Sequence, residues 1–485
     1  MVKHSTLPIA SFFRKICLSL ALLLAIAAAS QAQLIYGVSQ NKLVSFQATD
    51  PCTIISSLNI TGIAAGFEIA GMDFRPNTGE LYLLAYSQSS GEARLYVLNV
   101  TTGVATQVGS SFTLAANLGQ VGFDFNPTVD RIRITGTNGF NYRVHPVTGV
   151  LVSTDTNLAF AAGDENFGIT PAVGSVAYSN SYIASSGTTL YNFDPIMNIL
   201  TTQDPPNAGT LNTIGALGIT LNVADLSSDF DIYFDPVTRT NRALLVANPG
   251  SSTFDSLYSI DLTTGFATPL CLIGGGMPLS HIAASISAPS TSPVTGKLVY
   301  ALTANGNLVT FDSDNPGNVR TIAALSGMLT GQVICMIDFR PATGELYGLG
   351  YNAATGEARI YLINRTTGVA TPIGSSNFMI GMNVGRIGFD FNPMVDRIRI
   401  TTSTGMNLRI HPVTGAIAFT DTNLAFATGD VNQGATPNIS AVGYSNSFLG
   451  AGSTTLFGFD DVLNMFVIQN PPNAGTLTTL GTAGI

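Results

Sequence analysis

"GFDFNPTVDRIRIT" occupies residues 122–135, and "GFDFNPMVDRIRIT" returns at 388–401. A near-verbatim repeat of this length has to be read before any single residue, because it fixes the architecture. Working outward, "MDFRPNTGELYLLAY" (72–86) returns as "IDFRPATGELYGLGY" (337–351), and "HPVTGVLVSTDTNLAFAAGD" (145–164) as "HPVTGAIAFTDTNLAFATGD" (411–430). "QDPPNAGTLNTIG" (203–215) likewise returns as "QNPPNAGTLTTLG" (469–481), so the offset stays at 265 or 266. The chain is therefore a duplicated unit. Between the copies lies "SAPSTSPVTG" (287–296), whose Ser, Pro and Thr content reads as a linker.

Each copy carries a shorter rhythm. In the first, Leu81 to Ser87, Arg94 to Val100 and Val104 to Ser110 alternate apolar and polar residues, and Thr78-Gly79, Gly91 and Thr101-Thr102-Gly103 turn the chain between them. Turn signals every 8–12 residues between period-two segments describe an antiparallel meander. The theme restarts at Val121, Val173, Phe230 and His281, about every 50 residues. Four-stranded units repeated in this way are the blades of a propeller, whose closed ring protects most strand edges. The first copy opens with three strands (Leu34 to Gln40, Lys42 to Ala48, Cys52 to Asn59) and ends with a lone one, His281 to Ser287. Pairing of that last strand with the opening three gives five blades.

The fold class is thus all-β: tandem β-propellers of about five four-stranded blades each, the second ring incomplete. The alternative is one larger ring of eight or nine blades. Residues 1–32 read as a signal peptide, 33–287 as the first propeller repeat, 288–296 as the linker, and 297–485 as the second repeat. Ile485 stands opposite Ile219, so the second repeat is read as C-terminally truncated.

The leader reading rests on Lys3, Arg14 and Lys15 ahead of an apolar run from Ile16 to Ala29, with Ser30-Gln31-Ala32 preceding a cut at Gln33. It implies a secreted protein (extracellular, cell surface or periplasmic) with no transmembrane segment after cleavage. Losing those three cations takes the formal net charge from −9 to −12 and leaves Lys42 and Lys297 as the lysines. Such a surface argues against nucleic acid as a partner, which needs clustered cations. Three cysteines would remain, Cys52, Cys271 and Cys335. One disulfide at most is allowed; Cys52 and Cys271 fall in neighbouring blades, but three buried free thiols are the preferred reading.

"DFRPNTGELY", "GFDFNPTVDRIRI", "DTNLAFAAGD" and "PPNAGTLNTIG" resemble the hallmarks of the bacterial family catalogued as domain of unknown function 4394. Both copies match. The resemblance implies a bacterial, secreted or surface protein, and it brings no activity and no catalytic residue.

Candidate site residues fall in two groups. The unit starting at Val121 holds Arg131, Arg133, Arg143 and His145, matched by Arg397, Arg399, Arg409 and His411. Arginine forks suit an anion or a sugar acid, but ion pairs through Asp124 and Asp130 that join blades are the preferred reading. A two-residue turn at Asn138-Gly139 would set Arg143 and His145 on the face opposite Arg131 and Arg133. His145 and His411 sit in "HPVTG", at the turn position of "NVTTG" (99–103) and "DLTTG" (261–265), so a turn-facing histidine is expected. The second group is the connection 155–166, where Asp155, Asp164, Glu165 and Asn166 offer hard oxygen donors suited to Ca2+, the one cofactor contemplated. Copy two offers Asp421, Asp430 and Asn432. Aspartates ending strands (Asp73, Asp124, Asp194, Asp235, Asp338, Asp390, Asp460) are read as turn formers.

No G-x-S-x-G elbow, H-E-x-x-H pair or phosphate loop occurs. No catalytic residue is therefore assigned, and the function expected is a non-catalytic module binding an extracellular glycan or protein. The alternative is a secreted Ca2+-dependent hydrolase or lyase acting at the channel mouth.

Overall fold

A computed structural model describes residues 33–222, 227–289 and 291–484, so the leader lies outside the described residues. These residues form strands and short 3-10 turns only, in two compact units that divide between residues 289 and 290. Each unit is described by itself.

The first unit contains five sheets. Blade one has the strand order His281–Ala284, Leu34–Ser39, Lys42–Gln47, Asp50–Asn59, so its innermost strand comes from the far end of the unit. That strand pairs antiparallel with the first, Ile35 opposite Ala284 and Val38 opposite His281. Blade two runs outward as Glu68–Phe74, Leu81–Tyr86, Glu92–Leu98 and Ala105–Thr113. Blade three is Val121–Asn126, Arg131–Gly136, Asn141–Val144 and Leu151–Thr154. Blade four is Ser175–Tyr178, Leu190–Asp194, Ile199–Gln203 and Thr210–Ala216, with Ala159–Phe160 added in parallel at its outer edge. Blade five is Ser228–Asp235, Thr240–Ala247, Ser256–Ile260 and Ala267–Leu272.

Five innermost strands stand side by side in a cycle, with blade one seated between blades five and two. The first unit therefore closes on itself, as the tandem reading requires and the single larger ring does not. The second unit repeats the pattern with a three-stranded sheet (Leu298–Leu302, Asn307–Asp312, Asn315–Ala324) followed by three fuller sheets. Its ring is incomplete.

Hairpin chemistry explains the meander. Asn99 Oδ1 accepts the amides of Thr101 and Thr102 at 2.9 and 3.0 Å, the side chain standing in for a backbone acceptor in a tight turn. Gly103 ends the turn at φ 74°, and a Cβ there would lie 2.2 Å from the carbonyl oxygen of Asn59, so no other residue fits.

The core lies in the clefts between blades. Tyr82, Leu84 and Leu95 of blade two pack on Phe123, Phe125, Ile132 and Ile134 of blade three. Val44 and Phe46 of blade one pack on Leu244, Val246 and Leu257 of blade five. Sheets stacked radially bury both faces, which is why Leu81–Tyr86 is buried at every position and reads as a continuous apolar run.

The cysteines correct the sequence reading. Cys52, on the outer strand of blade one, is joined by a disulfide to Cys271 on the outer strand of blade five, with Cα atoms 5.7 Å apart. Cys335 remains a free thiol, its pKa pushed up to about 12 by burial. Exposed and half-exposed cysteines on facing blade edges were within bonding reach. Because this bond crosses the seam where the ring closes, reduction or Cys271→Ser is expected to lower the stability of the first unit by about 2–5 kcal/mol. Thermal melting with and without reductant measures this, and an unchanged first-unit transition would refute it.

Candidate functional site

Arg133 and Arg143 are directly opposite one another on adjacent strands of blade three. The register places Asn141 against Thr135 and leaves residues 137–140 as the connection, one residue away from a two-residue hairpin. That slip moves every side chain to the other face, so Arg143 shares a face with Arg133, contrary to the sequence expectation. Both arginines converge on Asp155. Arg133 Nη1 donates to Asp155 Oδ2 at 2.7 Å and to Asn141 Oδ1 at 2.7 Å, while Nη2 donates to Asn207 Oδ1 of blade four at 2.8 Å. Arg143 donates to Asp155 through Nε and Nη2 at 2.7 and 2.8 Å, and Ser153 Oγ adds a bond of 2.7 Å. Burial pushes the Asp155 carboxyl up, but the bonds from Arg143, Ser153 and Arg133 outweigh it and hold the pKa at about 2.

The second unit reproduces this knot with Arg399, Arg409, Asn407, Asp421 and Asn473. Arg131 and Arg397 stay apart from it, each donating Nη1 to two carbonyls of its own turn. The neighbouring Asp130 instead accepts a two-pronged pair from Arg75 of blade two at 2.9 and 2.5 Å. The Arg75–Asp130 ion pair thus ties blade two to blade three, the Asp155 pairs lie within blade three, and the bond from Arg133 to Asn207 reaches blade four; Asp124 plays none of these parts.

His145 Nδ1 accepts the amides of Val147 and Thr148 at 3.2 and 3.4 Å, the task Asn99 performs in blade two, and His411 does the same for Val413 and Thr414. In the connection 155–166, Asp164 accepts Thr213 N at 2.6 Å and Asn166 N at 2.9 Å, and Asn166 reaches the Thr213 hydroxyl. Asp430, Asn432 and Thr479 repeat this. The four donors of the connection are therefore divided: Asp155 belongs to the arginine knot, Asp164 and Asn166 to blade four, and Glu165 is exposed.

Among the described residues, the one trio of acidic groups with ligand atoms all within 4.8 Å of one another is Asp73, Asp124 and Asp231. These lie on the innermost strands of blades two, three and five and are buried. Asp194, Asp235 and Asp460 do cap turns, accepting amides two and three residues ahead. Asp73 and Asp124 do not, because they stand three residues before their proline instead of one, and that spacing was the available signal. Asp73 Oδ2 accepts Phe125 N of blade three at 2.9 Å, and Asp124 Oδ1 accepts Tyr178 N of blade four at 3.1 Å. Asp231 Oδ2 accepts Ala284 N of blade one at 2.6 Å. Burial raises all three carboxyls, those of Asp73 and Asp124 well above the usual range and that of Asp231 to about 7.

Two openings complete the picture. A groove of about 910 Å3 lies at the seam of blades five and one, lined by Tyr233, Asp235, Asn241, Arg242, Asp261 and Leu270 among others. A cavity of about 220 Å3 forms one channel mouth, with Glu68, Ser228 and His281 in its wall.

Truncation of Asp155 leaves Arg133 buried without its counter-charge. Asp155→Ala is expected to cost about 3–5 kcal/mol at pH 7 in urea denaturation. Because the folded pKa lies below the ordinary 3.8, this contribution is present in full above about pH 4 and is lost as the pH falls towards 2. The gap between wild type and variant should close over that interval; a gap independent of pH would refute the ion-pair account.

No curated protein matches the chain. Among solved structures, it is similar to the dihydro-heme d1 dehydrogenase NirN (13% identity, 80% of this chain and 72% of that one, TM-score 0.25). It is also similar to the Dos1 propeller (14% identity, 75% and 84%, TM-score 0.27) and to the glutaminyl cyclase of Myxococcus xanthus (11%, 46% and 84%, TM-score 0.30). The family model for the domain of unknown function DUF4394 matches residues 42–283 and again 307–485, and with most of its length so covered the chain belongs to that family.

Proposed function

We propose that the chain is a secreted or cell-surface, non-catalytic module that binds an extracellular glycan. The groove at the seam of blades five and one carries this reading. Its volume of about 910 Å3 is that of a small-ligand site. Its walls combine the Tyr233 ring and the apolar Leu262 and Leu270 with Asn241, Asp235 and Arg242. Sugar rings present apolar C–H faces and a rim of hydroxyls, so an aromatic surface beside mixed donors and acceptors suits them. Arg242 is exposed on the same wall, within electrostatic reach of Asp235 and Tyr233, and its fork suits the oxygens of a ligand. The candidate arginines of blade three are committed to the protein itself, and their claim on a ligand is correspondingly weaker.

Residues 1–32 support export, and amino-terminal sequencing of the protein recovered outside the cytoplasm tests it. A glycan array probed with the full chain tests binding. Arg242→Ala, at an exposed side chain, is expected to weaken any bound glycan at least about tenfold, or about 1.4 kcal/mol, without lowering the melting temperature by a comparable margin. Binding insensitive to Arg242 would remove the groove from consideration. Turnover of a retained glycan would favour the alternative, a Ca2+-dependent hydrolase or lyase at the channel mouth.

A further inference from the structure

We infer that the channel mouth of the first unit is a binding site for an alkylammonium group, whose charge is met by Glu68. Two adjoining cavities make up this mouth. The smaller, of about 220 Å3, lies where the five innermost strands begin, beside Glu68, Val121, Gly174, Ser228 and His281. The larger, of about 430 Å3, shares Glu68, Ile69 and Ser280 with it and is the size of a small-ligand site. Val38, Ile60, Ile63 and Phe67 give the larger one an apolar wall. Glu68 therefore stands where a polar compartment meets an apolar one.

Charge selects the class of ligand. Neither wall contains a lysine or an arginine, and the titratable side chains in them are Glu68 and His281. His281 is already engaged, with Nε2 3.1 Å from Ile69 O and Nδ1 3.6 Å from Asp229 Oδ2. Behind the wall, the Arg94 guanidinium over the Phe67 ring is held by Glu92. Glu68 is exposed, and its carboxylate has no hydrogen bond or ion pair among the described residues. A cation is what this mouth lacks.

A second observation marks the same wall. Three serines border the smaller cavity. Ser227 Oγ donates to Leu279 O at 2.6 Å, and Ser280 Oγ to Val38 O at 3.3 Å. Ser228 is only 6% exposed, yet its Oγ has no hydrogen-bond partner. A buried hydroxyl left unpaired is costly, and a bound group that pairs with it removes the cost. Gln88, also in this wall, commits Nε2 to Gly119 O at 2.9 Å and keeps Oε1 as an acceptor. An ammonium offers three donors and no acceptor. Glu68, Ser228 and Gln88 supply three oxygens for it, and the apolar wall takes the alkyl chain.

The second unit keeps the ion pairs of the blades but not this chemistry. Val333 stands in the place of Glu68, Ala353 in that of Gln88 and Arg386 in that of Gln120, another residue of the smaller wall. One site per chain is expected.

The test titrates the full chain calorimetrically with hexylammonium chloride, sodium hexanoate and Nα-acetyl-lysine amide. Hexylammonium and hexanoate match in length and differ in charge. The expected result is one equivalent of an ammonium ligand, with hexanoate at least about tenfold weaker. The tighter of the two ammonium ligands names the source, a free amine or the lysine side chain of a peptide. Glu68→Gln should weaken binding at least about tenfold and Ser228→Ala about threefold, both with the melting temperature in place. Glu80→Gln, which removes the same charge from the turn before Leu81, should change nothing. No saturable binding of either ammonium ligand, hexanoate bound as tightly, two equivalents, or affinity untouched by Glu68→Gln or by Ser228→Ala would each overturn the assignment. Should Glu68→Gln fail to fold by circular dichroism, Ser228→Ala decides: unchanged affinity overturns, weakened affinity supports.

Discussion

The first unit depends on the antiparallel pairing of His281–Ala284 with Leu34–Ser39. Those segments are separated by more than 240 residues, so joining them closes a long loop, whose entropic cost grows only logarithmically with length. Four ladder pairs, from Ile35–Ala284 to Val38–His281, would be a weak latch alone. Other contacts across the same seams reinforce it: Asp229 and Asp231 grip Ile282 N and Ala284 N, His281 Nε2 meets Ile69 O at 3.1 Å, and the Cys52–Cys271 bond ties the outer strands. Closure is therefore distributed from channel to rim, with the apolar cluster of Ile35, Phe46, Leu244 and Ile282 between.

Adjacent innermost strands are too far apart in the ring to share a ladder, and the molecule bridges them with side chains. Where the ring position holds aspartate (73, 124, 231), its carboxylate takes the amide of the next blade. Where it holds Ala177 or Ala283, the amides that would have been met, Ile232 N and Phe74 N, turn to the carboxylate of their own preceding aspartate. Asp73 and Asp231 each serve both purposes, one oxygen local and one across the gap. Every backbone donor on this circuit is thus satisfied with three acids in five places. The three acids are also brought to the axis, where burial works against their charge.

Most of the fold was legible because it is written in periodicities: the 265-residue offset, the turn glycines every 8–12 residues, and the surplus strand at His281. What stayed hidden turns on single-residue matters. The hairpin after Gly136 runs one residue away from the expected register, which reversed the face assigned to Arg143 and concealed the grip of two arginines on Asp155. Asp73 and Asp124 looked like the Asp-Pro turn formers at Asp194 and Asp235, although two extra residues before the proline carry them back into the strand and into the channel. Cys52 and Cys271 carry no spacing signature, since their nearness follows from ring closure. His145 is legible as a turn residue because three parallel turns, at Asn99, His145 and Asp261, show which job the position does.

The second unit separates what belongs to a pair of blades from what belongs to the ring. Asp338 takes Phe391 N and Asp390 takes Tyr444 N, at 2.8 and 2.7 Å, as their counterparts do in the first unit. The knot of Arg399, Arg409 and Asp421 is likewise complete, and Arg340 holds Asp396 as Arg75 holds Asp130. These features need two adjacent blades and nothing more, so they survive in an incomplete ring. The acid trio needs blades two, three and five at once and exists where the fifth is present. Burial raises Asp390 to about 8 with Asp338 next to it, so two acids already strain against sharing the axis as anions. The third, Asp231, adds to that cost and is itself raised to about 7 by burial, but its two oxygens take Ile232 N and Ala284 N, one local and one across the gap, which a single amide oxygen could not do.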